Sequence, residues 1–182
     1  MSRAETEKLA EAIARTMRAQ RDAARPDRSV LVAANAGTGK TKVLVERVLR
    51  LLLAGTSPDR LLCLTYTKAA AAEMANRLFT RLAGWTVAAE TALAAELGDL
   101  LGGAAAPAEI KRARTLFAIA VETPGGLKVQ TIHAFCERVL KRFPLEAGVP
   151  PQFTVLDEES QRAAIADSIA ARRQPVFIVG LE

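Results

Sequence analysis

Apolar residues follow two different rhythms along this chain. Over residues 2–24, Leu9, Ile13 and Met17 recur every four residues among charges, the spacing of one face of a helix. Arg25-Pro26-Asp27 ends that pattern. Residues 29–34 (SVLVAA) form an unbroken, valine-rich run, which predicts a buried strand. Helical spacing returns over 42–53 through Val45, Val48, Leu49 and Leu52, and residues 55–58 close it. Residues 60–65 (RLLCLT) predict a second buried strand. Residues 67–82 predict a helix capped by Thr67, with Met74, Leu78 and Leu82 on one side. Two more helices follow over 87–101 and 108–121, with a GGAAAP loop at 102–107 between them. Then come a turn at 123–126, a third strand at 127–131 and a helix at 132–143. A proline-marked connection (144–151), a short extended segment (153–156), a last helix (158–172) and an apolar run (176–179) complete the pattern. Strands alternating with helices predict an α/β fold: a parallel sheet covered by helices on both faces.

Composition narrows the class. The 182 residues are 50% hydrophobic with a net charge of +5, enough apolar matter for a core and too little charge for a disordered chain. No apolar run reaches the roughly 18 residues of a membrane span, and the N-terminus lacks the apolar centre of a secretory signal. The expectation is a cytoplasmic protein with no membrane partner. Cys63 and Cys136 both stand in apolar stretches and read as reduced, small, buried residues. Arginine outnumbers lysine 18 to 7, and the basic excess permits a nucleic-acid partner without establishing one.

Between the first predicted strand and the helix after it stands Ala34-Asn35-Ala36-Gly37-Thr38-Gly39-Lys40-Thr41. It departs from the phosphate-loop pattern G-x-x-x-x-G-K-[ST] only at its first residue. Glycines let backbone N–H groups turn inward around phosphate oxygens. The positive end of the next helix points the same way. Lys40 supplies a charge for the β- and γ-oxygens, and the Thr41 hydroxyl offers a ligand to Mg²⁺. These two are the expected catalytic residues, and Thr41 the expected metal ligand. The alternative is a glycine-rich turn that merely joins strand to helix. The flanking strand and helix favour phosphate binding.

Four segments in this order resemble the N-terminal part of UvrD/Rep-type DNA helicases, and most of all their AddA-like helicase–nuclease branch. Gln20-Arg21 looks like the adenine-reading Q motif, and AANAGTGKT like the family's alanine-first phosphate loop. Residues 64–74 (LTYTKAAAAEM) look like motif Ia, residues 131–136 (TIHAFC) like motif Ib, and RFPLEAGVPPQFTVLDE over 142–158 is typical of AddA-like chains. Motif Ia departs from the usual Asn-Lys with Lys68-Ala69, and Tyr66 stands where phenylalanine is common. The resemblance implies a RecA-like P-loop NTPase sheet in a motor that uses ATP and Mg²⁺ to move 3′ to 5′ on single-stranded DNA and open double-stranded DNA. In the longer enzyme it implies double-strand-break repair beside an AddB-like partner. Residues 1–160 would be the N-terminal part of the ATP-binding motor domain, with 161–182 a helix and tail of no assigned role.

Each candidate side chain carries two readings. The Gln20 amide donates and accepts at once, which suits adenine; otherwise it is a solvated helix-end residue. Tyr66, after a strand's C-terminal end, stacks on an unpaired base or packs inward. Thr65 and Thr67 bond phosphate oxygens or cap the next helix. Lys68 is a cation in a helix's first turn, an unfavourable end that an anionic partner would offset. Thr131 belongs to the same DNA-binding set. His133 contacts DNA backbone or holds the motif Ib loop. Phe135 packs inward or stacks.

Hydrolysis also needs carboxylates for Mg²⁺ and for the attacking water. FTVLDE at 153–158 imitates such a strand, but Glu159-Ser160-Gln161-Arg162 does not continue the family's motif. Asp157 reads instead as a helix N-cap. The chain therefore reads as the first piece of a longer enzyme, an incomplete motor domain that binds nucleotide without complete catalysis. The alternatives are a non-enzymatic nucleotide- or single-stranded-DNA-binding relative, and an unrelated P-loop kinase.

Overall fold

Capping chemistry sets several of the helix ends. The computed structural model describes residues 3–35 and 37–170; residues 171–172 and the apolar run at 176–179 lie outside that range. The described elements are α1 (Arg3–Ala23), α2 (Lys40–Leu53), β1 (Leu62–Thr65), α3 (Lys68–Val87), α4 (Glu90–Leu101), α5 (Pro107–Glu122), β2 (Lys128–Thr131), α6 (Ile132–Arg142) and α7 (Glu158–Ala170). Thr67 starts α3 by accepting the Ala70 N–H at 3.1 Å, which satisfies one of the first turn's orphan donors. Pro107 opens α5, and the Glu109 carboxylate accepts the Ala106 N–H at 2.7 Å. Gly102, at φ +81°, closes α4 in the left-handed region.

Two compact units divide the chain, Met1–Ile132 and His133–Glu182. In the first, one continuous core joins four helices. Val45, Val48, Leu49 and Leu52 come from α2, Met74, Leu78, Leu82 and Trp85 from α3, Leu93, Leu97 and Leu100 from α4, and Leu116 from α5. The helical spacing of these positions is what lets four helices share one interior. A polar tie accompanies it: the Glu96 carboxylate of α4 accepts Arg81 Nε at 2.7 Å and the Trp85 indole N–H at 2.9 Å, both from α3.

The sheet is small. β1 and β2 pair in parallel, in register Leu62↔Lys128, Cys63↔Val129, Leu64↔Gln130 and Thr65↔Thr131, with α3 to α5 forming the crossover that parallel pairing requires. Cys63 is buried in the same core as Met74 and Leu78, with Val129 packed against that core. Burial pushes its thiol pKa up. Leu62 and Leu64 alternate to the other face, where 43% and 40% of their surface stays exposed. The helices of this unit pack on the Cys63 face; on the other face Leu62 and Leu64 stay partly exposed, while the side-chain amide of Gln130, in register with Leu64, is buried.

A correction concerns residues 29–34. They form no ladder with β1 or β2, and Leu31 is 96% exposed. An apolar run becomes a buried strand only when a neighbour supplies hydrogen bonds to its backbone. Among the described residues the only strand pairing is β1 with β2.

In the second unit α6 fully buries none of its side chains, and Cys136, expected to be buried, is exposed. Residues 153–156 form no strand. Asp157 accepts the Ser160 N–H at 2.8 Å as the cap of α7, and that bond holds its carboxyl below the usual carboxylate range.

Candidate nucleotide-binding site

A glycine-bearing loop leads into α2. Gly37 and Gly39 take φ values of +79° and +85°, a region where a side chain would be strained. Gly39 stands at the N-cap of α2 and offers no side-chain cap. The first N–H groups of the helix thus keep the unsatisfied, positive character that suits an anion. The Lys40 ammonium folds into the loop, donating to the carbonyls of Ala34 at 2.7 Å and Asn35 at 2.6 Å. The Thr38 hydroxyl donates to the same Asn35 carbonyl at 2.7 Å. Thr41 is exposed in the first turn of α2. Ala36 lies outside the described residues. The donor set fits a nucleotide triphosphate: a flexible ammonium, an uncapped helix start and a hydroxyl for a hard cation.

Gln20 is drawn to this loop across the sequence. Its Nε2 donates to the Thr38 carbonyl at 3.1 Å. A Cβ on Gly39 would stand 3.0 Å from the same nitrogen and would press on the Gln20 amide, in addition to the strain of the positive backbone angle.

Residues 65–68 and Thr131 form a second group in the first unit. Thr65 and Thr131 pair in register at the C-terminal ends of β1 and β2, the edge where open α/β sheets meet their ligands. The Thr65 hydroxyl donates to the Thr67 carbonyl at 3.0 Å, and Thr67 caps α3. Tyr66, between them, is 62% exposed. Lys68 is exposed at the first position of α3. Thr131 is buried at 8% exposure. In the second unit, His133 is exposed and Phe135 half-buried on α6.

Residues 16–176 match the model of the UvrD/REP helicase N-terminal domain. The chain belongs to this helicase family. It is similar to the ATP-dependent helicase/nuclease AddA chain of Latilactobacillus sakei, at 36% identity over 148 residues, covering 81% of this chain and 14% of the relative. The corresponding helicase/nuclease chain of Lactobacillus acidophilus is 38% identical over 138 residues, with 76% and 10% covered. That of Enterococcus faecalis is 32% identical over 143 residues, with 79% and 10% covered. The chain thus spans 10% to 14% of the length of these relatives.

Two residues of this UvrD/REP domain escaped the sequence reading. Arg47 and Arg50, on α2, reach back to the carbonyls of α1 and of the turn after it. The legible signal is a pair of arginines three positions apart in the middle of a leucine- and valine-rich helix.

Proposed function

We propose that the chain is the nucleotide-binding segment of an ATP-dependent DNA helicase of the AddA-like kind, built on a RecA-like P-loop fold. The observation that carries this reading is the loop geometry: Lys40 cradled by the Ala34 and Asn35 carbonyls, beside an uncapped helix start. Ala34, Asn35, Ala36, Gly37, Thr38, Gly39, Lys40 and Thr41 hold the phosphates, Thr41 holds Mg²⁺, and Gln20 reads the base. When bound, Mg²⁺ neutralises phosphate charge. Lys40 exchanges its carbonyl partners for phosphate oxygens, two anionic acceptors in place of two neutral ones.

The DNA-binding set of the first unit is Thr65, Tyr66, Thr67, Lys68 and Thr131; in the second unit His133 is a separate candidate for a contact to DNA. Tyr66 supplies an exposed ring on which a base stacks, and Lys68 a backbone charge contact. The in-register Thr65 and Thr131 and the exposed Tyr66 support that reading. Translocation 3′ to 5′, recombinational repair, an AddB-like partner and a cytoplasmic setting belong to the same proposal. No described helix is long and apolar enough to cross a membrane.

Titration of the purified chain with a fluorescent ATP analogue and Mg²⁺ tests the site. Binding is expected, weakened at least about tenfold by Lys40→Ala. Equal affinity in that variant overturns the phosphate-loop assignment. Turnover of ATP stimulated by single-stranded DNA would exclude a pure binding module.

A further inference from the structure

The last turn of α1 is accounted for bond by bond. An α-helix leaves its last four carbonyls without helical partners. Here the Gln20 carbonyl accepts the Ala24 N–H at 3.0 Å, and the Asp22 carbonyl the Arg25 N–H at 3.2 Å. The other two go to side chains of α2. Arg50 donates to the Arg21 carbonyl at 3.0 Å, and Arg47 to that of Ala23 at 3.4 Å. Arg47 also donates to the Arg25 carbonyl and, at 2.5 Å, to that of Arg28. It thus holds the turn that leads into the phosphate loop. Cations at a helix C-terminus are favoured by the helix dipole as well as by the hydrogen bonds.

Arg50 does this at a cost. It is only 6% exposed, its Nε has no partner, and desolvation lowers its pKa. Burying a charge that way is weak support for net stability, so what Arg50 visibly supplies is geometry. The geometry it shares with Arg47 fixes α1 against the one helix whose N-terminus forms the phosphate site. Gln20, one residue before the first clamped carbonyl, then stands 3.1 Å from the Thr38 carbonyl.

We propose that Arg47 and Arg50 are positioning residues for base selection: by clamping the end of α1 onto α2, they keep the Gln20 amide registered on the phosphate loop. This rests on the reading of the loop as a nucleotide site. It adds that purine discrimination depends on a clamp about two to three helical turns along α2 from the phosphates.

Competition binding on the purified chain with ATP, GTP and inorganic tripolyphosphate separates the possibilities. Arg47→Ala should lose the preference for ATP over GTP, by about tenfold, as Gln20→Ala does. Its affinity for tripolyphosphate should stay within about twofold. The double variant should be no less selective than Gln20→Ala alone, since both act through one amide. A folded Arg47→Ala that keeps the ATP preference overturns the proposal. So does one that loses ATP and tripolyphosphate in equal measure, the mark of a merely structural role. If Arg47→Ala does not fold, Arg50→Met carries the same test, because it keeps the apolar stem and removes only the donors. Wild-type protein that binds no tripolyphosphate overturns the phosphate-loop reading, and the clamp proposal with it.

Discussion

Leu49 and Leu31 are the same side chain in two apolar stretches eighteen residues apart. Leu49, on α2, is fully buried in the core that α2 shares with α3, α4 and α5, whereas Leu31, in the run before the phosphate loop, is 96% exposed. Hydrophobicity alone ranks the second stretch at least as strongly as the first. The difference is in the backbone. A helix satisfies its own N–H and C=O groups and needs only a surface to pack on. An isolated extended run must borrow a ladder from a neighbour before it can be buried. Within the first unit, β1 and β2 give their ladder to each other.

The strongest way to break this comparison is to cut into the α2 side. Leu49→Ala removes a fully buried side chain at a point where helices meet. It should lower stability by about 2–5 kcal/mol in urea unfolding, the usual range when a leucine cavity opens. A loss below about 0.5 kcal/mol would mean that the four-helix interior is loosely packed, and the contrast with Leu31 would collapse.

A local effect comes next. Thr67→Ala deletes the oxygen that accepts the Ala70 N–H at the start of α3. It should destabilise the protein by about 1 kcal/mol, with Thr67→Ser restoring most of it. The same variants sharpen the DNA reading. A phosphate contact predicts weaker single-stranded DNA binding in Thr67→Ala at equal folded fraction. Unchanged binding would leave Thr67 as a cap alone.

The sequence was most readable where chemistry is local. The Thr67 cap, the Asp157 cap of α7 and the turn glycines Gly37 and Gly39 are set by residue type within three or four positions, and they stand where the sequence places them. The amphipathic helices were readable too, apart from ends that shift by a few residues. What could not be read were features that depend on a distant partner. The pairing state of residues 29–34 depends on which strand lies beside them. The burial of Cys136 depends on what packs on α6. The clamp joins Arg47 to Ala23 and Arg50 to Arg21, 24 and 29 positions apart, which no periodicity reports. Gln20 is intermediate: its residue type suggested a base contact, but its bond to Thr38 required the fold.

The smallest expected effect is the sharpest on the comparison. Leu31→Ala removes the same atoms as Leu49→Ala, from a side chain that already meets solvent over 96% of its surface. Nothing is transferred out of an apolar environment, so neither a cavity nor a lost burial term arises. The change in unfolding free energy should stay within about 0.5 kcal/mol. Polar substitution should be tolerated equally, so Leu31→Ser serves as a second arm. Amide exchange distinguishes the backbone side of the argument. Without a ladder, the N–H groups of residues 30–33 should exchange far faster than those of the buried turns of α2. A Leu31→Ala cost near that of Leu49→Ala, together with protected amides at 30–33, would mean that this run is a paired strand in solution. The difference between the two leucines would then lie in their partners and not in the backbone's need for one.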